Sequence, residues 1–249
     1  MILLISQCSN LNNIDDLYSS IDWNMADLLL VNQGEHLIDF EKAYVLNYNE
    51  VIPLSRSRNI AIKHARRYFN MKKYSHIMFP DDDAFFLESF WDVYARLDSN
   101  RSYVLNVEYN QKLLFSWINV ISPWKNVMSS NILLSLRNNE MIFFREDLGV
   151  GTAYGSGEDI DFFWRYMKSS LFIKTACLVH PFGSDNDKAH DMLRHDKYFR
   201  GHYYLLSIHK KRYLIWLSFI RPLVGIIMLR DIKLNSKILL RRLSFLVSG

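Results

Sequence analysis

The chain has 249 residues, 49% of them hydrophobic and 22% charged, with a formal net charge of +4. That length suits one large domain, or a domain with an appendage, and that composition excludes a disordered chain and supports a real core. Two cysteines outside any CxxC unit, Cys8 and Cys177, argue against a zinc knuckle and for a reducing compartment with two inert buried thiols.

The opening run Met1–Ile5 has no basic stretch and ends at the polar Ser6-Gln7. It is too short for a signal peptide or a spanning helix and reads as a first buried strand of a cytoplasmic protein. Further strands are expected at Asp27–Val31, Ala43–Leu46, Ser75–Phe79, Ser102–Val107, Met141–Phe144 and Leu171–Val179. Helices are expected at Ser55–Asn70, Leu87–Leu97 and Gly157–Ser169, with one or more pieces in Leu113–Leu136. There is no internal repeat and no low-complexity stretch. Strands separated by helices predict an α/β fold with a mainly parallel sheet, and ligands then bind beyond the carboxyl ends of the strands.

The tail differs in character. Residues 197–249 hold 11 Lys and Arg and a single acid, Asp231, which leaves 19 basic against 25 acidic residues in 1–196. Such asymmetry predicts a surface partner for the tail. The apolar stretch Tyr213–Met228 carries Arg221-Pro222 near its middle, which suits an interfacial or packed helix pair better than a spanning helix. The expected division is a domain over 1–186 and an amphipathic helical appendage over 187–249. So apolar a tail argues against a nucleic-acid partner.

Four segments carry chemistry. In Pro53-Leu54-Ser55-Arg56-Ser57-Arg58-Asn59, Ser55 reads as an N-cap, and Ala61, Ile62, Ala65 and Phe69 form an apolar stripe. Arg58 shares the buried face of that helix. Its guanidinium calls for a nucleotide phosphate or base, or for an ion pair with a nearby aspartate.

Asp81-Asp82-Asp83 follows a strand at its carboxyl end. Three adjacent carboxylates repel, and a Mg²⁺ or Mn²⁺ shared with a diphosphate would offset this. A solvated acidic turn ahead of the next helix is the plainer alternative.

The third segment, Leu148 to Asp161, packs four glycines into nine residues, which allows close backbone approach to a ligand. It matches neither a P-loop nor a dinucleotide fingerprint. Ser156-x-x-Asp159 fits a capping box, and Glu158 and Asp159 suit a first helical turn. A carboxylate on this loop, facing the acidic triplet, could also serve as a general base. Finally, His180 ends a strand, where an imidazole is either hydrogen-bonded or a metal ligand.

Together these segments resemble the bacterial family 2 glycosyltransferases of the GT-A fold, a Rossmann-like architecture. The resemblance covers roughly residues 1–182. It rests on Leu54 to Ala61, Phe79 to Asp83, Gly149 to Phe162 and His180. It implies inverting transfer from a nucleoside-diphosphate sugar, usually a UDP-sugar. By that pattern Asp81 contacts the ribose beside Asp82, Asp83 holds the metal with His180, and Asp159 is the base with Glu158 beside it. Arg58 and Asn59 lie near the nucleotide. Two places depart from the pattern: Ser6-Gln7-Cys8-Ser9-Asn10 replaces the usual Pro-Thr-Tyr-Asn, and Val31-Asn32-Gln33-Gly34 lacks the aspartate that helps read the base.

The resemblance also implies a lipid-linked or oligosaccharide acceptor in surface-polysaccharide synthesis, at the inner face of the cytoplasmic membrane. Basic residues beside Trp216, Phe219, Leu223 and Ile226 would then anchor the tail to anionic lipid. A non-catalytic nucleotide-sugar or glycan-binding protein of the same fold is the alternative. A sugar nucleotidyltransferase would need an N-terminal glycine-rich triphosphate loop, which the sequence lacks.

Overall fold

The computed structural model describes residues 1–8, 14–34, 37, 39–109, 112–113, 128–137, 139, 141–167, 169–180, 192–210, 215, 219, 222–223, 226–227 and 232–248. The chain forms two compact units: Met1–Glu146 with Glu158–Phe182, and Asp147–Gly157 with Gly183–Gly249.

In the first unit the described elements run β1 (Ile2–Cys8), α1 (Ile14–Ser19), β2 (Ala26–Asn32), β3 (Ala43–Asn47), α2 (Leu54–Tyr68), β4 (His76–Met78) and β5 (Phe85–Phe86). Then come α3 (Glu88–Tyr94), β6 (Tyr103–Tyr109), β7 (Lys112–Leu113), β8 (Ile132–Ser135), α4 (Glu158–Tyr166) and β9 (Leu171–Val179). The strands lie in the order β3-β2-β1-β4-β8-β6-β9-β5, with β7 on β6. Neighbours among β3, β2, β1 and β4 are parallel, as are β6 and β9. Antiparallel pairing enters where β8 joins β4 to β6 and where β5 joins β9. This is the α/β sheet that the strand–helix alternation predicts.

The central strands are apolar on both sides because both sides are covered. Along β1, Ile2 and Leu4 face one core with Leu28, Leu30, Met78 and Phe90. Leu3 and Ile5 face the other, with Leu29, Val31 and Ala61, Ile62 and Ala65 of α2. Cys8 and Cys177 are free and buried. Burial raises both thiols, Cys8 to about 11 with help from the charge of Asp82, and Cys177 to about 12. Neither is a reactive thiolate.

Several expectations need correction. Helix α2 begins at Leu54 with Pro53 before it, so Ser55 is a fully buried residue inside the helix, not its cap. Ile132–Ser135, placed in a helical region, is a strand; a short apolar run is ambiguous between the two. The middle of Leu113–Leu136 lies outside the described residues.

Met141–Phe144 is not a strand, although Ile142 and Phe144 are buried in the core. Side chains, not a neighbouring strand, bond its backbone. Phe143 N–H donates to Tyr166 Oη at 3.1 Å. The Asn59 amide accepts from Phe144 N–H at 2.7 Å and donates to Phe144 O at 2.9 Å.

In the second unit the helices include α5 (Met192–Ile208) and α6 (Ile232–Ser248). Phe199 of α5 packs edge-on against Phe219 and Phe245. The guanidinium of Arg242 lies 5.4 Å above the Phe199 ring. Among the described residues no helix is long and apolar enough to cross a membrane.

Because Asn59 satisfies two buried backbone groups at once, Asn59→Ala should cost about 1–3 kcal/mol for the groups it leaves unpaired. Chemical denaturation should show a lower midpoint with an unchanged slope.

Candidate active site

The triplet sits just past β4, at the carboxyl end of the sheet, where Phe79 and Pro80 carry the chain out of the core. One residue later the chain enters β5, which pairs antiparallel with β9 in the register Phe85↔Val179 and Phe86↔Leu178. That register sets the turn before Phe85 against the residue after Val179. His180 is therefore delivered onto the triplet from 97 or more positions away in sequence. Its Nε2 stands 3.1 Å from Asp81 Oδ2 and 3.3 Å from Asp83 Oδ1.

Arg58 reaches the same cluster from the first turns of α2. Its side chain is only 5% exposed, and it bridges Asp81 Oδ1 and Asp159 Oδ1, both at 3.5 Å. Beneath it lie the rings of Phe144 and Phe79, 5.1 and 5.9 Å from the guanidinium carbon. Phe162 of α4 stacks on Phe144 at 4.4 Å and meets Phe79 edge-on. This aromatic bed fixes the start of α4, and so Glu158 and Asp159, beside Arg58. The attraction of a cation to ring faces adds to the two ion pairs.

Sequence-predicted residues thus converge: Arg58, Asp81, Asp83, Asp159 and His180 form one connected network, with Asp82 and Glu158 adjoining it. Asn59 has a structural part in the same arrangement. Its amide holds Phe144 and donates to Glu146 Oε1 at 2.9 Å, so it positions the bed under Arg58. Asp159, expected in a capping box, directs its carboxylate to Arg58 and to the Ser129 hydroxyl. Ser129 was not foreseen, since a lone serine in a short 3-10 turn gives no sequence signal.

The glycine loop belongs with the C-terminal unit, where close packing uses its glycines. A Cβ on Gly201 of α5 would stand 2.3 Å from Ser156 Oγ, and Gly157, with φ at +99°, faces the Gly201 carbonyl. Ser156 Oγ donates to Tyr198 O at 3.3 Å. Tyr154 stacks on Tyr204 at 3.9 Å, and Tyr204 Oη donates to Asp147 at 2.6 Å.

The electrostatics separate the carboxylates. Burial works upward on Asp81, but the hydrogen bond from His180 and the charge of Arg58 outweigh it and hold the group below its ordinary range. Asp82 is pushed up to about 6 by burial and by the adjacent Asp83 and Asp81. Glu158, only 6% exposed, rises to about 7 through burial and the charge of Asp159. Asp159 is raised too, because burial outweighs Arg58 and Ser129.

A second feature marks this end of the sheet. Ser6 Oγ, Gln7 Oε1, Gln33 Nε2 and Ser57 Oγ are buried polar atoms with no hydrogen-bond partner among the described residues. Gln33 is oriented by Ile52 N–H, which donates to its Oε1 at 2.8 Å. A cavity of about 290 Å³ beside Met1, Asn24, His76 and Tyr94 lies instead at the amino ends of β1 and β4. There Ser75, His76 and Tyr94 already bond one another.

Among the described residues, no group of three or more His, Cys, Asp and Glu is arranged as it stands to hold a metal ion. The donor types that meet at His180, two carboxylates and one imidazole nitrogen, are nonetheless those that Mg²⁺ or Mn²⁺ accepts.

No protein-family model matches the sequence, and a search of curated proteins found no match. The fold does have solved counterparts. S. aureus TarS residues 1–349 in complex with UDP-GlcNAc aligns with a TM-score of 0.55 at 15% identity, over 83% of this chain and 65% of that one. TarS 1–349 alone aligns at 0.53 and 17% identity, over 90% and 74% of the two chains. A longer TarS structure aligns at 0.52 and 15% identity, over 96% of this chain but only 54% of its own length. The chain therefore has a glycosyltransferase-like, Rossmann-type fold and spans roughly half to three quarters of these structures.

The raised Glu158 carries a stability consequence. Its folded form holds a proton up to about pH 7, while the unfolded form releases it near the ordinary 4.5. Stability from this group therefore falls as pH rises between those values. Glu158→Gln should melt higher than the parent at pH 8, by about 2–4 °C per kcal/mol recovered, and near-equally at pH 4.5. Scanning calorimetry at the two pH values checks this.

Proposed function

We propose that the protein is a glycosyltransferase that moves a sugar from a nucleoside-diphosphate sugar to a hydroxyl of a glycan or lipid-linked oligosaccharide, with inversion, in surface-polysaccharide synthesis. One observation carries this reading: residues 58, 81–83, 158–159 and 180, scattered over more than 120 positions of the sequence, meet as a single charged cluster at the carboxyl end of a glycosyltransferase-like sheet. UDP-GlcNAc in the TarS structure of the same fold supports a UDP-sugar as the donor.

In this reading Asp83 and His180 would hold Mn²⁺ or Mg²⁺, with Asp81 and Asp82 beside them on the nucleotide. When bound, a divalent cation neutralises the charge that grows on the diphosphate as the sugar leaves.

Asp159 would take the proton of the acceptor hydroxyl. That oxygen bonds to the anomeric carbon as the bond from that carbon to the diphosphate oxygen breaks, and the nucleoside diphosphate departs. A single displacement of this kind inverts the anomeric centre. Burial makes Asp159 a better proton acceptor than a free aspartate, and the charge of Arg58 opposes that rise. Glu158, raised to about 7, is mostly protonated in mildly acidic solution and there adds little second negative charge.

Asp83→Ala should abolish Mn²⁺-dependent UDP-sugar binding in calorimetry. Equal affinity with and without Mn²⁺ in that variant would remove Asp83 as a ligand. Asp159→Asn should bind donor normally and lose transfer by about 10²–10⁴-fold. Donor turnover near the parent level would remove it as the base.

A further inference from the structure

The second unit presents a split helix face that the transfer reaction does not need. Helix α6 spans 17 residues, about 26 Å, and contains no acidic residue. Its inner side carries buried Ile238 and the Phe245 ring, which meets Phe199 and Tyr203 edge-on. Its outer side is apolar and bare: Ile232 is 46% exposed, Leu240 65% and Leu243 40%. At 100° per residue these three fall in a sector about 80° wide. Lys233, Lys237 and Arg241, all exposed, form the adjoining sector at i, i+4 and i+8. Of the three, Arg241 also pairs with Asp196 of α5.

This placement differs from the one expected near residues 216–226. Of the residues expected there, Phe219 is buried against Phe199, Leu223 is 43% exposed, and Trp216 lies outside the described residues. On α6 the apolar and basic sectors lie side by side.

We infer that this face of α6 docks in the plane of an anionic lipid bilayer, with Ile232, Leu240 and Leu243 at the acyl boundary and the basic row among the headgroups. Charge decides among occupants. A second copy packed face to face would set Lys233, Lys237 and Arg241 against their own equivalents, and like charges repel. A bilayer rich in anionic headgroups complements the row and accepts the leucines together. The inference does not depend on the catalytic reading, because it concerns a different unit and no residue of the charged cluster.

The full chain should float with vesicles of phosphatidylglycerol and phosphatidylcholine and not with phosphatidylcholine alone. Leu240→Ser with Leu243→Ser, and separately Lys233→Glu with Lys237→Glu, should each weaken vesicle binding at least about fivefold. Lys42→Glu, an exposed charge reversal in the other unit, should leave it unchanged. All the substituted side chains are solvent-facing, so the variants should fold, and unchanged melting verifies this. Failure of the parent to float, or equal flotation by both α6 variants, overturns the inference. So does a parent dimer that the leucine variant converts to monomer with vesicle binding unaffected, since the face is then a contact between copies.

Discussion

A single buried guanidinium organises this molecule's charged end. Arg58 is almost wholly enclosed, yet it holds Asp81 on one side and Asp159 on the other. Only the guanidinium is deeply buried, since the two carboxylates are 36% and 26% exposed; without them it would be left as an uncompensated charge in the core. Here the constraint acts at two points. It ties the turn after β4 to the start of α4, two segments 78 positions apart, and so decides where a ligand could sit. The rings of Phe79, Phe144 and Phe162 set the depth of the guanidinium, and Asn59 sets the depth of Phe144.

The carboxylates around it are not equivalent. Asp81 is stabilised as an anion by His180 and Arg58. Burial drives Asp82, Glu158 and Asp159 toward their neutral forms, helped by the charges of Asp83 and Asp81 on Asp82, of Asp159 on Glu158 and of Asp81 on Asp159. A fold that needed only stability would not crowd acids in this way. Such crowding, with neighbouring groups pushed in opposite directions, is common where a charged ligand binds or a proton moves.

Much of this was legible in the sequence because it is written locally. The acidic triplet, the arginine on the apolar side of a helix and the histidine ending a strand are each readable within a few residues. What was not legible depended on partners far along the chain. Asn59 reads as part of a nucleotide motif, and its hold on the backbone of Phe144, 85 residues on, is visible only in the fold. Met141–Phe144 has the apolar pattern of a strand, but among the described residues its backbone is taken up by the side chains of Asn59 and Tyr166. The glycine run suggested an approaching ligand, whereas Gly157 and Gly201 let a loop and a helix of one unit touch. Short elements such as α1 and β5 are below the length at which periodicity says anything.

The two-residue ladder between β5 and β9 has a wider implication. Strand pairing has a period of two, so adding or deleting one residue at Ala84 would turn Phe85 and Phe86 over and carry the triplet off His180. Length here is therefore constrained more tightly than chemistry. Among descendants of a common ancestor, the spacing from Asp83 to Phe85 should outlast the identity of many residues around it, leaving a gap-free column in an otherwise drifting loop.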